Sequence, residues 1–177
     1  MGIRYSGASI QIRRATVDDA EAAAGVINAV IAERRYTLFD QPFSVHDERQ
    51  FIASLGPRQA LVLAEIDGRA VGLQSVDLLV SFASSMRHVG TIGTWLRSEA
   101  RGNGLGRRMA QYSAAFAREQ GYEKFVIQVL ASNARARRFY ERLGFRDIGV
   151  ARRHVRIDDE VHDEVFMEVQ LQDMTLD

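Results

Sequence analysis

The feature that most constrains the fold of this chain is the stretch 96–106, LRSEARGNGLG, which joins an apolar strand to a long amphipathic helix. Glycines at alternate positions, Gly102, Gly104 and Gly106, let the main chain approach a ligand without side-chain obstruction. The first turn of a helix also has free backbone N–H groups that attract anions. The stretch therefore predicts a cradle for a phosphorylated ligand, although the same glycines would also suit an ordinary tight turn.

The spacing of these glycines excludes two common phosphate-binding motifs. The dinucleotide fingerprint needs G-x-G-x-x-G and the Walker loop needs G-x-x-x-x-G-K-[ST], and neither pattern is present. The pattern here is Arg101-x-x-Gly104-x-Gly106, preceded by the apolar strand 91–96. It resembles the acetyl-CoA-binding motif R/Q-x-x-G-x-G/A of the GNAT superfamily of N-acetyltransferases.

A second motif follows the first in the order expected for that family. An apolar run at 125–130 precedes SNARARRFYERLGF at 132–145, which resembles the family's second signature of Asn, a helix carrying Tyr, and Gly-Phe. The resemblance to acetyl-CoA-dependent GNAT N-acetyltransferases covers nearly the whole chain after Ser9. It implies an α/β (α+β) fold, with a mixed, mostly antiparallel seven-stranded sheet flanked by helices.

The hydrophobic periodicity along the chain agrees with this fold. We expect a single N-acetyltransferase domain over residues 10–172, a flexible N-terminal segment at 1–9 and a tail at 173–177. The Asp67-Gly68 pair predicts a tight hairpin turn between two strands. The expected elements, in order, are a strand at 10–12, helices from Thr16 to about Arg34 and from Ser44, strands 60–66, 70–80 and 88–96, a helix ending at Gly121, a strand at 125–130, a helix at 133–143, and strands 146–156 and 161–171.

Composition excludes several classes of function. Formal net charge is zero and no apolar run approaches the roughly 20 residues of a membrane span, so neither a membrane nor a nucleic acid is an expected partner. The absence of cysteine excludes disulfides and an acyl-enzyme built on a thiolate. A cytoplasmic location is the default expectation. No metal site is expected, because the histidines lack metal-ligand spacing: His46, His88, His154 and His162.

The family resemblance implies where acetyl-CoA binds. The strands at 88–96 and 125–130 would splay apart to admit the pantetheine arm, with Leu96 supplying main-chain contacts. Asn133 would hydrogen-bond the pantetheine amide, although the same side chain also suits a helix N-cap. The residues expected to hold the pyrophosphate and the neighbouring part of the cofactor are Arg101, Gly102, Asn103, Gly104, Leu105, Gly106 and Arg107.

The chemistry to be explained is attack of a neutral amine on a thioester. The resemblance places Tyr140 near the sulfur as general acid, and a phenol with a pKa of about 10 holds its proton at neutral pH. Periodicity alone would make Tyr140 a packed core aromatic. An alkylamine is mostly protonated at pH 7, so a base or a water chain must take its proton. No motif fixes that base; Glu33 is the candidate nearest the expected acceptor region, and the others are Glu65, Asp77 and Glu99.

The acceptor is expected across the gap from the cofactor, lined by residues 34–43 and by the final hairpin, which contains His154 and Asp163. Arg34 and Arg35 would suit an anionic group on the acceptor, or would simply be solvated. The preferred prediction is transfer to the primary amine of a small molecule such as an amino acid or polyamine. The alternatives are a protein N-terminus or lysine, and a non-catalytic acyl-CoA-binding regulatory module. Pairing of late strands would give a homodimer, unless edge charges prevent it.

Overall fold

A computed structural model describes residues 7–176, so most of the segment predicted as flexible, residues 1–6, lies outside the described part. The order of elements agrees with the prediction, with shifts of a few residues at their ends. The strands are β1 (Ile10–Arg14), β2 (Ala60–Ile66), β3 (Arg69–Leu78), β4 (Val89–Leu96), β5 (Lys124–Leu130), β6 (Arg146–Ile157) and β7 (Glu160–Gln170). The α-helices are α1 (Ala20–Ile31), α2 (Val45–Ser54), α3 (Leu105–Glu119) and α4 (Ala134–Arg142).

The strands form one seven-stranded sheet in the order β1-β2-β3-β4-β5-β7-β6. Every neighbouring pair is antiparallel except β4 and β5, which run parallel because α3 connects them as a crossover. This confirms the predicted mixed, mostly antiparallel sheet. The hairpin between β2 and β3 also forms as predicted, with Asp67 and Gly68 both at positive φ (49° and 76°), as a two-residue turn between twisted strands requires.

Helices cover both faces of the sheet and create two apolar cores. The core under α3 and α4 includes the fully buried Met109, Phe125 and Met167. The core under α1 and α2 is smaller and includes Leu63 and Leu73. The helices thus cover both faces of β3, whereas β5 buries the face that carries Phe125, Ile127 and Val129 and leaves Gln128 on its other face exposed.

The first helix is shorter than predicted. It ends at Ile31, whereas the pattern suggested about Arg34, because the chain turns at Arg34, which takes the left-handed φ of 54°. The second helix begins as predicted: Ser44 Oγ accepts a hydrogen bond from Asp47 N at 3.1 Å, and the Asp47 carboxylate accepts one from Ser44 N. The residues between α1 and α2, 32–44, therefore form a separate connection beside the central strands.

The feature of the sheet that creates a site is the divergence of β4 from β5. Their register includes only two pairs, Val89 with Lys124 and Gly90 with Phe125. Beyond Gly90 the strands separate, as the resemblance implied. The residues after β7 pack onto the domain: Met174 is buried, and Thr175 N donates to Leu143 O at 3.1 Å. Within residues 7–176, no helix is both long and apolar enough to cross a membrane.

Candidate active site

A cavity of about 650 Å³ opens where β4 and β5 diverge. Its floor and walls come from β4, the end of β5, the loop before α3, the first turns of α3, α4, and the connection between α1 and α2. Most of the predicted cofactor residues line it: Leu96, Arg101, Gly102, Gly104, Gly106, Arg107 and Asn133, together with Tyr140. The structure therefore brings the two sequence motifs into one space.

The glycine cradle has the backbone geometry that its sequence suggested. Gly102 and Gly104 take the left-handed φ values of 85° and 83°, a region that residues with a Cβ rarely adopt. The first helical hydrogen bond of α3 runs from Arg108 N to Gly104 O, so the amides of Leu105, Gly106 and Arg107 precede the helical ladder. Asn103 lies in the loop between the two left-handed glycines. The N-terminus of α3 thus presents N–H groups and a positive helix dipole at the cavity.

Gly106 has a different role from the other two glycines, because it lets α4 approach α3. A Cβ at this position would lie 3.1 Å from Cε2 of Phe139, closer than ordinary van der Waals contact. The small residue therefore fixes the spacing between the cradle and the helix that carries Tyr140.

Leu96 offers its main chain to the gap. Arg97 N donates to Val71 O on β3, so strand alternation turns the N–H and C=O of Leu96 toward the opposite edge of β4. The carbonyl of Leu96 already accepts from Arg101 Nε at 2.8 Å. The N–H of Leu96 is therefore the group that remains oriented toward the gap.

Arg101 is engaged within the protein. Its Nη1 donates to Glu33 Oε2 at 2.7 Å, its Nη2 donates to the other oxygen of Glu33, and its guanidinium lies 4.7 Å from the ring centre of Tyr36. The guanidinium thus ties the end of β4 to the end of α1. These contacts hold Arg101 at the cavity wall, and its contact with the cofactor stays a prediction.

Arginines on α4 line the cavity beside the cradle, and sequence reasoning missed them. Arg135 and Arg142 join Arg107 in the lining, and they are seven residues apart on one face of the helix. In the sequence, this seven-residue spacing was the signal that could have predicted two arginines on one face of the helix. Together the three guanidinium groups make the cradle side of the cavity cationic, as binding of a polyanionic cofactor requires.

Tyr140 is both a packed aromatic and a cavity residue. Its side chain is buried, with ring centres 5.0 Å from Phe139 and 5.2 Å from Phe145. Its hydroxyl lies 3.1 Å from Thr94 Oγ1, to which it donates. Burial raises the pKa of Tyr140 to about 12, because the phenolate would lose its hydration. The phenol therefore keeps its proton throughout the neutral and mildly alkaline range.

Asn133 also combines the two roles that the sequence left open. Its Oδ1 accepts from Ala136 N at 3.0 Å and so caps α4, while the residue lines the cavity. With Oδ1 used as the cap, the side-chain NH₂ group is the one suited to donate to a ligand.

None of the four candidate general bases lines the cavity. Glu33 is held by Arg101, and Glu65 accepts from Arg13 at 3.3 Å. Asp77 accepts from Gln59 Nε2 at 2.7 Å, and the exposed Glu99 pairs with Arg69. Among the described lining residues there is no carboxylate at all. Both oxygens of Glu33, the preferred candidate, accept hydrogen bonds from Arg101, and its role as the base stays a prediction.

A second wall of the cavity, formed by β4 and the α1–α2 connection, is aromatic. Trp95 stacks with Phe39 at a centroid distance of 5.9 Å, and its Nε1 donates to Thr37 Oγ1 at 3.3 Å. The indole lies back over Gly93, where a Cβ would come within 2.4 Å of the ring. Tyr36 completes this wall. The connection between α1 and α2 thus lines the cavity as predicted, with Tyr36, Thr37, Leu38 and Phe39.

An ion pair joins the two segments predicted to surround the acceptor. Arg34 Nη2 lies 3.2 Å from Asp158 Oδ1, which links the α1–α2 connection to the turn between β6 and β7. Neither Arg34 nor any residue of the final hairpin lines the cavity, so the expectation that this hairpin, with His154 and Asp163, lines the acceptor site is not supported by the cavity. His154, in the same hairpin, lies 3.7 Å from the buried Glu164, whose pKa is raised by burial.

The family follows from the match of the chain to a family model: residues 27–145 match the model of the acetyltransferase (GNAT) family, and the chain belongs to that family. It is thus an N-acetyltransferase that uses acetyl-CoA. The chain is 29% identical over 143 residues to the uncharacterized N-acetyltransferase YjgM of Escherichia coli (strain K12), a match that covers 79% of this chain and 84% of YjgM.

Solved structures confirm the fold. yncA from Salmonella typhimurium, solved with its cofactor acetyl-CoA, superposes with a TM-score of 0.83 at 21% identity over 92% of this chain and 94% of that chain. The ribosomal-protein-alanine N-acetyltransferase of Brucella melitensis superposes with a TM-score of 0.84 at 22% identity over 90% of this chain and 99% of that chain. At such identities the likeness establishes the shared fold, and the acceptor has to be argued from the cavity.

Proposed function

We propose that this enzyme transfers the acetyl group of acetyl-CoA directly to the primary amine of a small molecule with an uncharged, apolar or aromatic body. The observation that carries this proposal is the composition of the cavity wall formed by β4 and the α1–α2 connection. There the lining consists of aromatic and aliphatic side chains and neutral polar groups, and the part of the chain that the structure describes contributes no carboxylate to it.

The charges around the cavity argue against the other acceptors. A polyamine would bring further ammonium groups into a space without a carboxylate to pair with them. A free carboxylate on an amino acid would meet Arg101 at the end of β4, and this guanidinium is already paired with Glu33. A small amine with one charge fits these walls better.

In the proposed reaction the cradle holds the pyrophosphate through the first amides of α3, and Arg107, Arg135 and Arg142 neutralise its charge. Asn133 and the N–H of Leu96 orient the pantetheine arm along the gap. Tyr140 donates its proton to the departing sulfur. No described carboxylate lines the cavity, so the proton of the amine leaves through water.

A panel of amines tests the acceptor class. Release of free thiol from acetyl-CoA is measured with phenethylamine, n-hexylamine, free amino acids, spermidine and a short peptide as acceptors. The proposal predicts the highest kcat/KM for the amines with apolar or aromatic bodies. A clear preference for spermidine or for the peptide would contradict it, and acetyl-CoA binding without turnover of any amine would favour a non-catalytic acyl-CoA-binding module.

Two variants connect the result to the cavity. Trp95→Leu removes the stacked wall and should raise KM for the aromatic amine about tenfold or more while leaving KM for acetyl-CoA within about twofold. Gly104→Glu places a side chain and a negative charge in the cradle, and it should abolish binding of acetyl-CoA. If Trp95→Leu raised KM by the same factor for every amine, the aromatic wall would not be what selects the acceptor.

A further inference from the structure

A chain of three polar side chains connects the interior of the sheet to the hydroxyl of Tyr140. Gln74 on β3 and Thr94 on β4 are directly opposite each other in the register of the two strands. Gln74 Nε2 donates to Thr94 Oγ1 at 2.7 Å, and the hydroxyl of Tyr140 lies 3.1 Å from the same oxygen. Thr94 lines the cavity and Gln74 lies behind it.

Burial of Gln74 is unfavourable for the stability of the fold. It is 0% exposed, and among the described residues its Oε1 has no hydrogen-bond partner. A buried amide with an unpaired oxygen costs stability that an apolar side chain of similar size would not. Leu73 and Val76, which are also buried on β3, are apolar, as expected for a strand covered on both faces. The bond from Gln74 to Thr94 is the contact that sets this residue apart from a core leucine.

The donor at Gln74 determines what Thr94 can do. Because Gln74 Nε2 can only donate hydrogen bonds, Thr94 Oγ1 must be the acceptor of the bond between them. The hydroxyl proton of Thr94 is then available for a hydrogen bond to another acceptor. The nearby oxygen of Tyr140 is the partner at hydrogen-bond distance. Thr94 can thus accept from a protonated Tyr140 or donate to a deprotonated one, without any movement of the backbone.

We propose that Gln74 and Thr94 are positioning residues that hold the hydroxyl of Tyr140 at the cavity and stabilise its oxygen after the proton has been given away. This inference rests on the proposed role of Tyr140 as general acid. In the step, the amine nitrogen forms a bond to the acetyl carbon, the carbon–sulfur bond breaks, and its electron pair goes to sulfur. Sulfur takes the proton of Tyr140, and the proton lost by the amine passes through water and restores the phenol.

The decisive experiment compares Thr94→Val with Thr94→Ser. Valine keeps the shape and removes the hydroxyl, so kcat should fall about tenfold or more, as expected for one hydrogen bond to a charged oxygen. KM for acetyl-CoA should stay within about twofold, and serine should restore most of kcat. The matched control is Thr175→Val, which makes the same change at an exposed threonine outside the cavity and should leave kcat unchanged.

A double-mutant cycle with Tyr140→Phe separates this inference from the proposed function. If Tyr140→Phe lowers kcat and Thr94→Val adds no further loss in that background, Thr94 acts through Tyr140. If the losses of kcat in Thr94→Val and Tyr140→Phe were fully additive, or if Thr94→Ser were as slow as Thr94→Val, the inference would be overturned and Tyr140 would remain the acid. An unchanged kcat in Tyr140→Phe would instead overturn the general-acid role itself.

Gln74→Leu gives a second, independent readout. The substitution removes the unpaired buried oxygen, so the thermal midpoint of unfolding should not fall. The kcat should nevertheless fall severalfold, because Thr94 loses its fixed donor. A variant that is as fast as the wild type would contradict the role of Gln74, and so would one whose slower turnover is accompanied by a large loss of stability.

Discussion

At the scale of single residues, the roles of Tyr140 and Arg101 show what a motif can and cannot predict. The motif predicted Tyr140 near the cofactor, and periodicity predicted it in the core; in the structure it is a core residue that also lines the cavity. The partner of Arg101 was not predictable, because Glu33 stands 68 positions away and either residue had several alternative partners in the sequence. Likewise, nothing local signals that Gln74 is buried beneath Thr94.

The raised pKa of Tyr140 makes a prediction about the dependence of rate on pH. A general acid works only while it holds its proton, and burial raises the pKa of this phenol to about 12. The kcat of the wild type should therefore not decline as the pH rises to about 10, whereas an acid with the ordinary tyrosine pKa of about 10 would already be half lost there. Steady-state rates with a saturating amine between pH 6 and pH 10.5 test this.

Replacement of the same residue tests its role directly. Tyr140→Phe keeps the ring contacts with Phe139 and Phe145 and removes only the hydroxyl, so stability should change little while kcat falls about a hundredfold. In the pH dependence of the wild type, a kcat that already declined between pH 8 and pH 9 would indicate a catalytic acid other than Tyr140.

At the scale of elements, the cradle depends on how the loop enters α3. Two glycines at the ends of this helix provide a matched comparison, because Gly104 and Gly121 have φ values of 83° and 76° and neither would place a Cβ within 4 Å of another atom. An alanine at either position should therefore cost about 1–2 kcal/mol through backbone strain alone.

The two alanine variants should differ in ligand binding. Gly104→Ala disturbs the amides at the start of α3 and should weaken binding of acetyl-CoA about tenfold, as measured by calorimetry. Gly121→Ala should lower the thermal midpoint by a similar amount and leave the Kd unchanged. If both variants bound acetyl-CoA as tightly as the wild type, the start of α3 would not be the site of the pyrophosphate.

The pair of Glu33 and Arg101 joins the end of α1 to the loop before the cradle. If it has the positioning role that the contacts indicate, Glu33→Gln should raise KM for acetyl-CoA severalfold and leave kcat within about threefold, because Arg101 keeps its bond to Leu96 O. A loss of kcat of about a hundredfold, with a shifted dependence on pH, would instead identify Glu33 as the base. Steady-state kinetics with both substrates varied distinguishes these outcomes.

At the scale of the whole molecule, local patterns predicted the order of elements, and the family resemblance implied the class of sheet. Alternating strands and clear turn signals such as Asp67-Gly68 are local and strong. The cavity depends on features that are not local: where the pairing of β4 with β5 stops, and how the α1–α2 connection places Phe39 against Trp95. Gly93 is the one local hint of that wall, and it is interpretable only once the position of the indole is known.

The most direct test of the account is a two-substrate kinetic measurement. Both substrates are proposed to occupy the gap between β4 and β5 at the same time, and the chain has no cysteine to form a thioester intermediate. Initial rates measured at several fixed amine concentrations, plotted in double-reciprocal form against acetyl-CoA, should give intersecting lines. Parallel lines, together with an acetylated enzyme detected by mass spectrometry in the absence of amine, would contradict direct transfer and the use of the cavity proposed here.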